Sequence, residues 1–590
     1  RHPPPPPPEL YTVYKSSAAS DVYKRQLVVW WFGFRLQGSS LAPEEWAFLA
    51  CVGWGSVSAA VVGMSPLVAR EILAGWLVAW CLWVIARRAG REAASKAVLI
   101  VITAALVVAL GVGLESIGRG EIRVGGLLES PNVAAALVAA SLPLVALYWD
   151  SARKSWLSLI CIVLVGGVGL TGSRAGLLAI LAAGTVLLPR GRGRVVGLVA
   201  GGASITAVLV WRFVTSPEIL AWFRPVIWLA VVRLSASHPV FGVGPGGLVD
   251  GAGPVRLLHA DHVGQHQFLI TYAESSPLGL LVQTGLVGLA IAIVGLYFWL
   301  RRLRETGALG SQPLQAALIG MAVMAAFHDF VNIEIVLWWW VVVVGLIEAF
   351  LRAEGGVRQP VTGQFWTRAV RGSALALIIL WGIVQPAWAR WLWRSHPVNA
   401  ALVERVMDAE PWFDEPLEWR VRSLLDHSEW TWPTAAEALA RGREAVRSHP
   451  GASRLWLLLG QVHSRNVTGL GPWPESVSGA REAYRRASEL EPHQPWSWLE
   501  WARLERNLGD LDESARLARR AVTAEPHAVR ARLFLARVEL DRGNSRLAAE
   551  AFESARESMA LRRRSGLRPY EMELLAAPAW QVRELAEALR

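Results

Sequence analysis

Eleven long apolar stretches, separated by polar loops, constrain this chain more than any other feature of its sequence. We place them at about 46–64, 72–86, 97–115, 131–148, 156–172, 176–189, 195–213, 278–300, 313–328, 332–351 and 372–389. Such runs are typical of helices that cross a membrane, since a bilayer requires about 20 apolar residues. LVVWWFGFRL at 27–36 is shorter and is interpreted as part of a twelfth span. With 53% hydrophobic and 18% charged residues, the composition excludes a purely soluble protein.

The first 26 residues differ from the rest of the chain. They contain six consecutive prolines, Pro3 to Pro8, and lack the apolar core of a secretory signal. We interpret 1–26 as a non-native or disordered leader and 27–390 as a membrane domain. The three cysteines lie within apolar runs, which excludes a disulfide framework and a cysteine metal cluster.

Basic residues are distributed unequally between the loops, although the formal net charge of the whole chain is +11. One set of alternate loops contains 16 Lys and Arg residues, and the short loops of the other set contain four. Cytoplasmic loops retain Lys and Arg, so the first set is predicted to face the cytoplasm. The turn TGSRAG at 171–176, the long loop at 214–277 and the carboxyl-terminal region are therefore predicted to lie on the outer face.

A repeated pattern follows residue 400. Glu491-Pro492 recurs 34 positions later as Glu525-Pro526, and Ala487 recurs as Ala521, a period typical of tetratricopeptide helix pairs. An earlier copy is displaced by 42 positions, and we assign the surplus to a loop at 465–478. The sequence thus predicts a linker at 391–410 and an α-solenoid at 411–590, which binds a protein partner more often than it catalyses.

Several charged residues lie at the predicted outer face, where charge near a bilayer is costly and often functional. Arg174 lies in the turn TGSRAG, and Arg224 lies in an amphipathic part of the outer loop. The glycines of 242–247 satisfy a dinucleotide-binding pattern, but without a surrounding strand we reject a nucleotide site. A turn that directs backbone amides towards an anion remains open.

Further along the outer loop, histidines and carboxylates accumulate. His259, Asp261, His262, His266 and Glu274 precede the next apolar stretch. The three histidines and the aspartate could bind zinc, but their spacing makes a zinc site weak. A general base is the better interpretation, since histidine accepts a proton near neutral pH and a desolvated glutamate can also do so. His328 and Asp329 lie at another outer turn, where they could orient a base or cap helices.

Four segments, in order, resemble the O-antigen ligase and polymerase family of bacterial glycosyltransferases. They are LLESPNVAAALVAASLPL at 127–144, LTGSRAGLLAI at 170–180, RPVIWLAVVRLSASHPVFGVGPGGL at 224–248 and ESSPLGLLVQTGLVG at 274–288. The resemblance implies an all-α, GT-C-like transmembrane bundle of about 11–12 spans in the bacterial cytoplasmic membrane. It also implies glycan transfer from undecaprenyl pyrophosphate to an acceptor hydroxyl on the outer face, where the repeat module would lie.

The resemblance also implies roles for individual residues. Arg174 and Arg224 correspond to arginines that bind the pyrophosphate. The family pattern places a histidine and a polar residue nine residues before GxxG, where this chain has Glu274-Ser275, whereas His266-Gln267 stands eight positions earlier. Either Glu274 or His266 is thus the expected catalytic base, supported by His262 and Asp329, with no metal or other cofactor.

Other functions remain open at this stage. Within the same family the acceptor could be a glycolipid (ligase), another glycan (polymerase) or a protein (oligosaccharyltransferase). A transporter or flippase, or a membrane-anchored scaffold with a tetratricopeptide docking module, would also combine these two parts. The scarcity of charge within the spans favours the enzyme over the transporter. No interpretation includes a nucleic-acid partner.

Overall fold

The computed structural model describes residues 41–62, 64–120, 124–128, 130–148, 154–187, 195, 199, 203, 206, 223–256, 263–264, 270–354, 384–396, 398–410, 414–427, 429–563 and 569–589. Within these ranges the regular elements are helices and no strand occurs, so the described chain is all-α. The leader, the apolar stretches at 27–36 and 195–213 and most of that at 372–389 lie outside the described residues.

The first part of the chain is a bundle of apolar helices. Its helices are α1 (Pro43–Val62), α2 (Pro66–Arg87), α3 (Arg91–Arg119), α4 (Pro131–Ala146), α5 (Lys154–Thr171), α6 (Arg174–Leu187), α7 (Phe223–Ser237), α8 (Ser276–Glu305), α9 (Gln312–Phe327) and α10 (Glu334–Glu354). Of these, α1, α2, α3, α5, α8 and α10 are long and apolar enough to cross a membrane. Helices α4, α6 and α9 are apolar but shorter.

Small residues allow the helices of the bundle to pack closely. Ala105 and Ala134 are fully buried in its core, and Gly167 of α5 lies directly against Ala109 of α3. Gly345 of α10 packs in the same way on the end of α2. Such close approach of the backbones supplies extensive van der Waals contact between the helices.

Three consecutive tryptophans of α10 form hydrogen bonds with neighbouring helices. Trp338 Nε1 donates to the carbonyl of Gly75 at 2.8 Å, and Trp339 Nε1 donates to Ser141 Oγ at 2.9 Å. Trp340 also faces α4. These indoles join α10 to α2 and α4, because a buried indole N–H needs an acceptor.

Helix α8 is interrupted at Gly285, whose backbone (φ 68°, ψ −171°) is not helical. The freed carbonyls of 282–284 accept hydrogen bonds from Val243 N (2.8 Å), Gly244 N (3.0 Å) and Trp54 Nε1 (2.8 Å). Within an apolar bundle a helix can break only where its carbonyls find new donors. The outer loop supplies two of these donors.

These hydrogen bonds also determine the role of the glycine-rich turn at 242–247. Gly242, Gly244 and Gly246 all have positive φ, which folds the turn tightly against α8 and α2. The amides of Val243 and Gly244 already donate hydrogen bonds to carbonyls of α8. The interpretation of this turn as an anion-binding site is therefore wrong for these amides, and its glycines serve close packing.

The carboxyl-terminal part is a solenoid of helix pairs. Its helices are α11 (Gln385–Ser395), α12 (Ala400–Ala409), α13 (Asp414–Leu425), α14 (Trp432–Ser448), α15 (Ser453–Gly469), α16 (Pro474–Leu490), α17 (Pro495–Asn507), α18 (Leu511–Ala524), α19 (Val529–Asp541), α20 (Ser545–Ala560), α21 (Pro569–Leu574) and α22 (Ala579–Ala588). Residues that recur every 34 positions, such as Leu499 and Leu533, are fully buried. They form the contacts between successive pairs.

One sequence prediction for this region needs correction, and another gains structural detail. The surplus at 465–478 is not a loop, since α15 extends to Gly469 and α16 begins at Pro474, so that the insertion lengthens two helices. The predicted linker at 391–410 is largely helical as well. It contains the end of α11 and all of α12, whose Val403 and Val406 are fully buried.

The break in α8 gives a first testable prediction. Replacing Gly285 by alanine should destabilise the protein by about 3 kcal/mol or more, because its conformation is open essentially only to glycine and a Cβ would meet the backbone of 239–240. Gly307→Ala is the matched control, with φ 71° but open space around its Cβ, and should cost about 1 kcal/mol. The thermal unfolding midpoint of the purified protein in detergent tests this, and equal shifts would contradict it.

Candidate functional site

Two of the residues that the sequence singles out form an ion pair. Arg224 lies in the first turn of α7, and Glu274 lies two residues before α8. The Nε atom of Arg224 is 3.2 Å from Oε2 of Glu274, and about a quarter of each side chain remains exposed (25% and 30%). The pair is therefore accessible as well as charged, as a site for an anionic substrate requires.

His328, at the end of α9, completes this cluster. Its Nδ1 atom is 3.6 Å from Oε2 of Glu274, and its Nε2 atom is 3.4 Å from Nη2 of Arg224. We call Arg224, Glu274 and His328 the outer cluster. The sequence offered His328 only as an orienting or capping residue, and no local pattern indicated this contact, which depends on how α9 packs beside α8.

The environment of the outer cluster shifts both titratable groups in the same direction. Burial opposes ionisation of Glu274, but the hydrogen bond from His328 and the charge of Arg224 outweigh it and lower the pKa of the carboxyl group. Burial also lowers the pKa of His328, and the charge of Arg224 lowers it further against the opposing effect of Glu274. At neutral pH the cluster therefore combines a carboxylate with a neutral imidazole.

The backbone of Glu274 is held in an unusual conformation. Its φ of 52° is the only positive value among the non-glycine residues that the structure describes. The carbonyl of Glu274 accepts a hydrogen bond from Trp228 Nε1 at 3.2 Å. Such strain persists only where surrounding contacts over-determine it, and it concentrates at functional sites.

The buried side chain of Asp329 stabilises the segment that contains Glu274. It is almost fully buried (1% exposed), and its Oδ2 atom accepts from the amide of Ala273 at 3.2 Å and from Asn332 Nδ2 at 2.6 Å. Ser276 Oγ donates to the carbonyl of His328 at 2.7 Å and so connects the same turn to α8. Burial raises the pKa of Asp329 to about 7, although these hydrogen bonds oppose the rise. Asp329 therefore anchors the backbone next to Glu274.

Arg174 begins α6 at the same end of the bundle. Gly172, with φ 59°, makes the tight turn before it, and Ser173 Oγ accepts from the amide of Gly176 at 3.3 Å. Ala175, the next residue, packs in one apolar cluster with Phe330, two residues beyond His328. The turn TGSRAG thus brings Arg174, which is half-buried, to the side of the bundle that carries the outer cluster.

His262 and His266 lie outside the described residues, so their roles stay predictions. Within the parts of the chain that the structure describes, no group of three His, Cys, Asp or Glu side chains could hold a metal ion.

The solenoid packs against the outer loop through the turns that join its helix pairs. Arg256 Nη2 lies 2.8 Å from Oε1 of Glu491, with side chains 2% and 14% exposed, and Val263 packs on the apolar core of the repeats. A second buried ion pair joins Arg70 of α2 to Glu410. The outer loop is therefore held between the bundle and the solenoid.

Comparison with known proteins identifies the repeats. The tetratricopeptide repeat family matches residues 499–561. No curated protein sequence matches the chain. Similar solved structures include MamA (16% identity, 28% of this chain and 85% of that chain, TM-score 0.23), a thermophilic tetratricopeptide protein of Thermus thermophilus (18%, 32% and 88%, 0.24) and yeast Tom70 (12%, 76% and 91%, 0.24). TM-scores this low support no inference about the whole chain.

Asp329 gives a prediction for the pH dependence of stability. Its pKa is higher in the folded than in the unfolded protein, so its contribution is fully present near pH 4 and is lost as the pH rises to about 7. Asp329→Asn keeps an acceptor but does not titrate, so its thermal midpoint relative to wild type should increase between pH 4.5 and 7.5. Asp426→Asn, at an exposed solenoid position, should show no such trend. A constant difference for Asp329→Asn would contradict the assignment.

Proposed function

We propose that the bundle spans a membrane and transfers a glycan from a polyprenyl pyrophosphate to an acceptor hydroxyl at the end that carries the outer cluster. The observation that carries this proposal is the contact among Arg224, Glu274 and His328 at the end of an apolar bundle. The reaction requires a permanently charged cation, a carboxylate and a neutral imidazole.

In this proposal His328 is the general base, oriented by Glu274. With Nδ1 directed at the carboxylate, the neutral ring carries its lone pair on Nε2, as in a Ser-His-Asp triad. Nε2 lies 3.4 Å from Nη2 of Arg224. When the guanidinium turns to the pyrophosphate, Nε2 becomes available to the acceptor hydroxyl, and Glu274 stabilises the imidazolium that forms.

The bonds that change follow from this arrangement. The acceptor oxygen forms a bond to the anomeric carbon and loses its proton to His328, while the bond between that carbon and the pyrophosphate oxygen breaks. The leaving group departs with the bonding electrons, and its negative charge needs a fixed cation. Arg224 suits this role, since guanidinium stays charged and binds phosphate oxygens in pairs. Arg174 on the same side is the second cation of the proposal.

This assignment modifies the expectation from the sequence. There, Glu274 or His266 was the base, whereas a carboxylate whose pKa is lowered is a weak base and a better orienting group. His266 remains a prediction that the described residues do not test. The same chemistry serves a glycolipid, another glycan or a protein as acceptor, and the proposal does not choose among them.

Transfer by variants of the outer cluster tests the proposal. With a polyprenyl pyrophosphate glycan as donor, His328→Ala and Arg224→Gln should each lower kcat about 100-fold or more. Glu274→Gln should lower it at least about tenfold and shift the rise in rate to lower pH, because the carboxylate that favours the imidazolium is lost. Rates of transfer between pH 4.5 and 8 provide the measurement.

The matched control for Arg224→Gln is Arg233→Gln, an exposed arginine on the same helix, which should keep wild-type rates. Equal loss in both variants would argue for a structural effect. High residual activity of His328→Ala together with an inactive Glu274→Gln would assign the base to Glu274. Full activity of all outer-cluster variants would remove the enzyme proposal and favour a transporter or a scaffold.

A second proposed function belongs to the solenoid, for which the family match at 499–561 is the specific observation. The solenoid contacts the outer loop through turns between its helix pairs. Helices α13, α15 and α17, which we call the inner helices, line a cavity of about 450 Å³. Arg465, Arg503 and Asn507 are exposed in it. We propose that a protein partner binds there.

Site-specific crosslinking tests the partner. A photoreactive residue at Asn507 should capture one defined protein in the native membrane, whereas the same residue at Glu553, an exposed position on α20 away from the cavity, should not. Identical products at both positions, or none at Asn507, would contradict binding in the cavity.

A further inference from the structure

The opposite end of the bundle contains a second group of charges, which we call the arginine cluster. It consists of four arginines and three glutamates from α1, α2, α8 and α10, namely Arg87, Arg88, Arg302, Arg352, Glu44, Glu45 and Glu348. The three carboxylates are nearly sealed from solvent, with side chains at most 2% exposed. Buried charges on this scale require close compensation.

Three of the arginines form ion pairs with the carboxylates of the arginine cluster. Glu44 lies 3.2 Å from Arg87 Nη1 and 2.6 Å from Arg302 Nε, and Glu348 lies 2.6 Å from Arg302 Nη2. Arg88 Nη2 lies 3.0 Å from Glu45, which also faces Arg87 at 3.4 Å. Three negative charges are thus neutralised by three guanidinium groups.

Arg352 is the fourth arginine, and its bonding is incomplete. Its Nε atom donates to the backbone carbonyl of Glu348 at 3.3 Å. Its Nη2 atom is buried and has no acceptor among the residues that the structure describes. Glu348 attracts Arg352, whereas Arg87, Arg302 and Arg88 repel it. Four guanidinium groups of the cluster thus face three carboxylates, which leaves one positive charge in excess among these seven side chains. A buried charged donor without an acceptor is costly, so an anion bound at Arg352 would stabilise the cluster as the structure describes it.

We propose that the arginine cluster binds the phosphate group of an anionic phospholipid, with Arg352 as the main contact and Arg88 and Arg302 beside it. Guanidinium groups match phosphate in charge and geometry. Arg88 and Arg302 keep 28% and 23% of their side chains exposed, which leaves a path from the surface of the bundle.

The surroundings of the cluster favour a lipid as the source of this phosphate. Trp299 donates to Glu348 at 2.8 Å, and Trp83 stacks on Arg87 at 4.9 Å, so amphipathic rings surround the charges at the end of apolar helices. Basic pockets between such helices bind anionic headgroups on the cytoplasmic side. The inference depends on the proposed membrane location but not on glycan transfer.

Lipid retention by the full chain tests the inference. The protein is reconstituted in phosphatidylcholine vesicles with a minor share of phosphatidylglycerol, extracted again in mild detergent, and the lipids retained per chain are quantified. Wild type should retain phosphatidylglycerol in preference to phosphatidylcholine, and Arg352→Gln should reduce this preference about tenfold. Arg304→Gln, an exposed arginine near the same end, is the matched control and should leave it unchanged.

A second measurement separates a lipid from a soluble anion. The thermal midpoint of the lipid-free protein is compared in inorganic phosphate and in chloride at equal ionic strength. Retention of phosphatidylglycerol that depends on Arg352 supports the lipid site. Stabilisation by inorganic phosphate without lipid retention overturns the lipid assignment, and equal retention by wild type and Arg352→Gln overturns the site itself.

A second substitution, Arg352→Lys, controls for an effect of Arg352→Gln on folding. Arg352→Lys keeps the charge but loses paired hydrogen bonds, so its retention should lie between those of wild type and Arg352→Gln. If Arg352→Gln does not fold, the lipid preference of the wild-type protein is the deciding measurement. Equal retention of the two lipids by wild type would overturn the proposal. Donor-dependent transfer is measured separately, so failure of the lipid site and failure of the proposed enzyme remain distinguishable.

Discussion

The arrangement of the outer cluster depends on the hydrogen bonds that the outer loop and Trp54 donate to α8 where this helix is interrupted. An apolar helix that loses its own hydrogen bonds must recover them elsewhere, and here the outer loop and Trp54 provide the donors. The loop is thereby fixed against α8 only a few residues after α7 ends. Because α7 carries Arg224 and Glu274 directly precedes α8, the same contact sets the distance between the two charges.

The outer cluster combines opposite electrostatic demands in one place. Arg224 favours the ionised carboxylate of Glu274 and disfavours a second positive charge on His328, so one cation keeps the other two groups in their complementary states. The strained backbone of Glu274 and the buried Asp329 beneath it hold these groups in position. The arginine cluster, at the other end, compensates most of its charge internally, and Nη2 of Arg352 is buried there without a hydrogen-bond acceptor among the described residues.

Much of the helical architecture could be predicted from the sequence, because apolar runs and a 34-residue repeat are local signals. Arg224 and Glu274 were also within reach, since each occupies a position within a recognisable segment. His328 was not, because its role arises from the packing of α9 beside α8 and has no counterpart in residue spacing. The surplus at 465–478 was misread as a loop because its glycines and prolines lie at helix ends, where both residues are compatible with helices.

The way in which the solenoid docks has a further consequence for any protein held in its cavity. The buried pair of Arg256 with Glu491 fixes the repeats to the outer loop, and the buried pair of Arg70 with Glu410 fixes them to α2. A partner bound to the inner helices would become an intramolecular neighbour of the loop, with an effective concentration on the order of millimolar even where the free partner is dilute. The rigid attachment would also restrict its orientation, so the solenoid would select partners by geometry as well as by affinity.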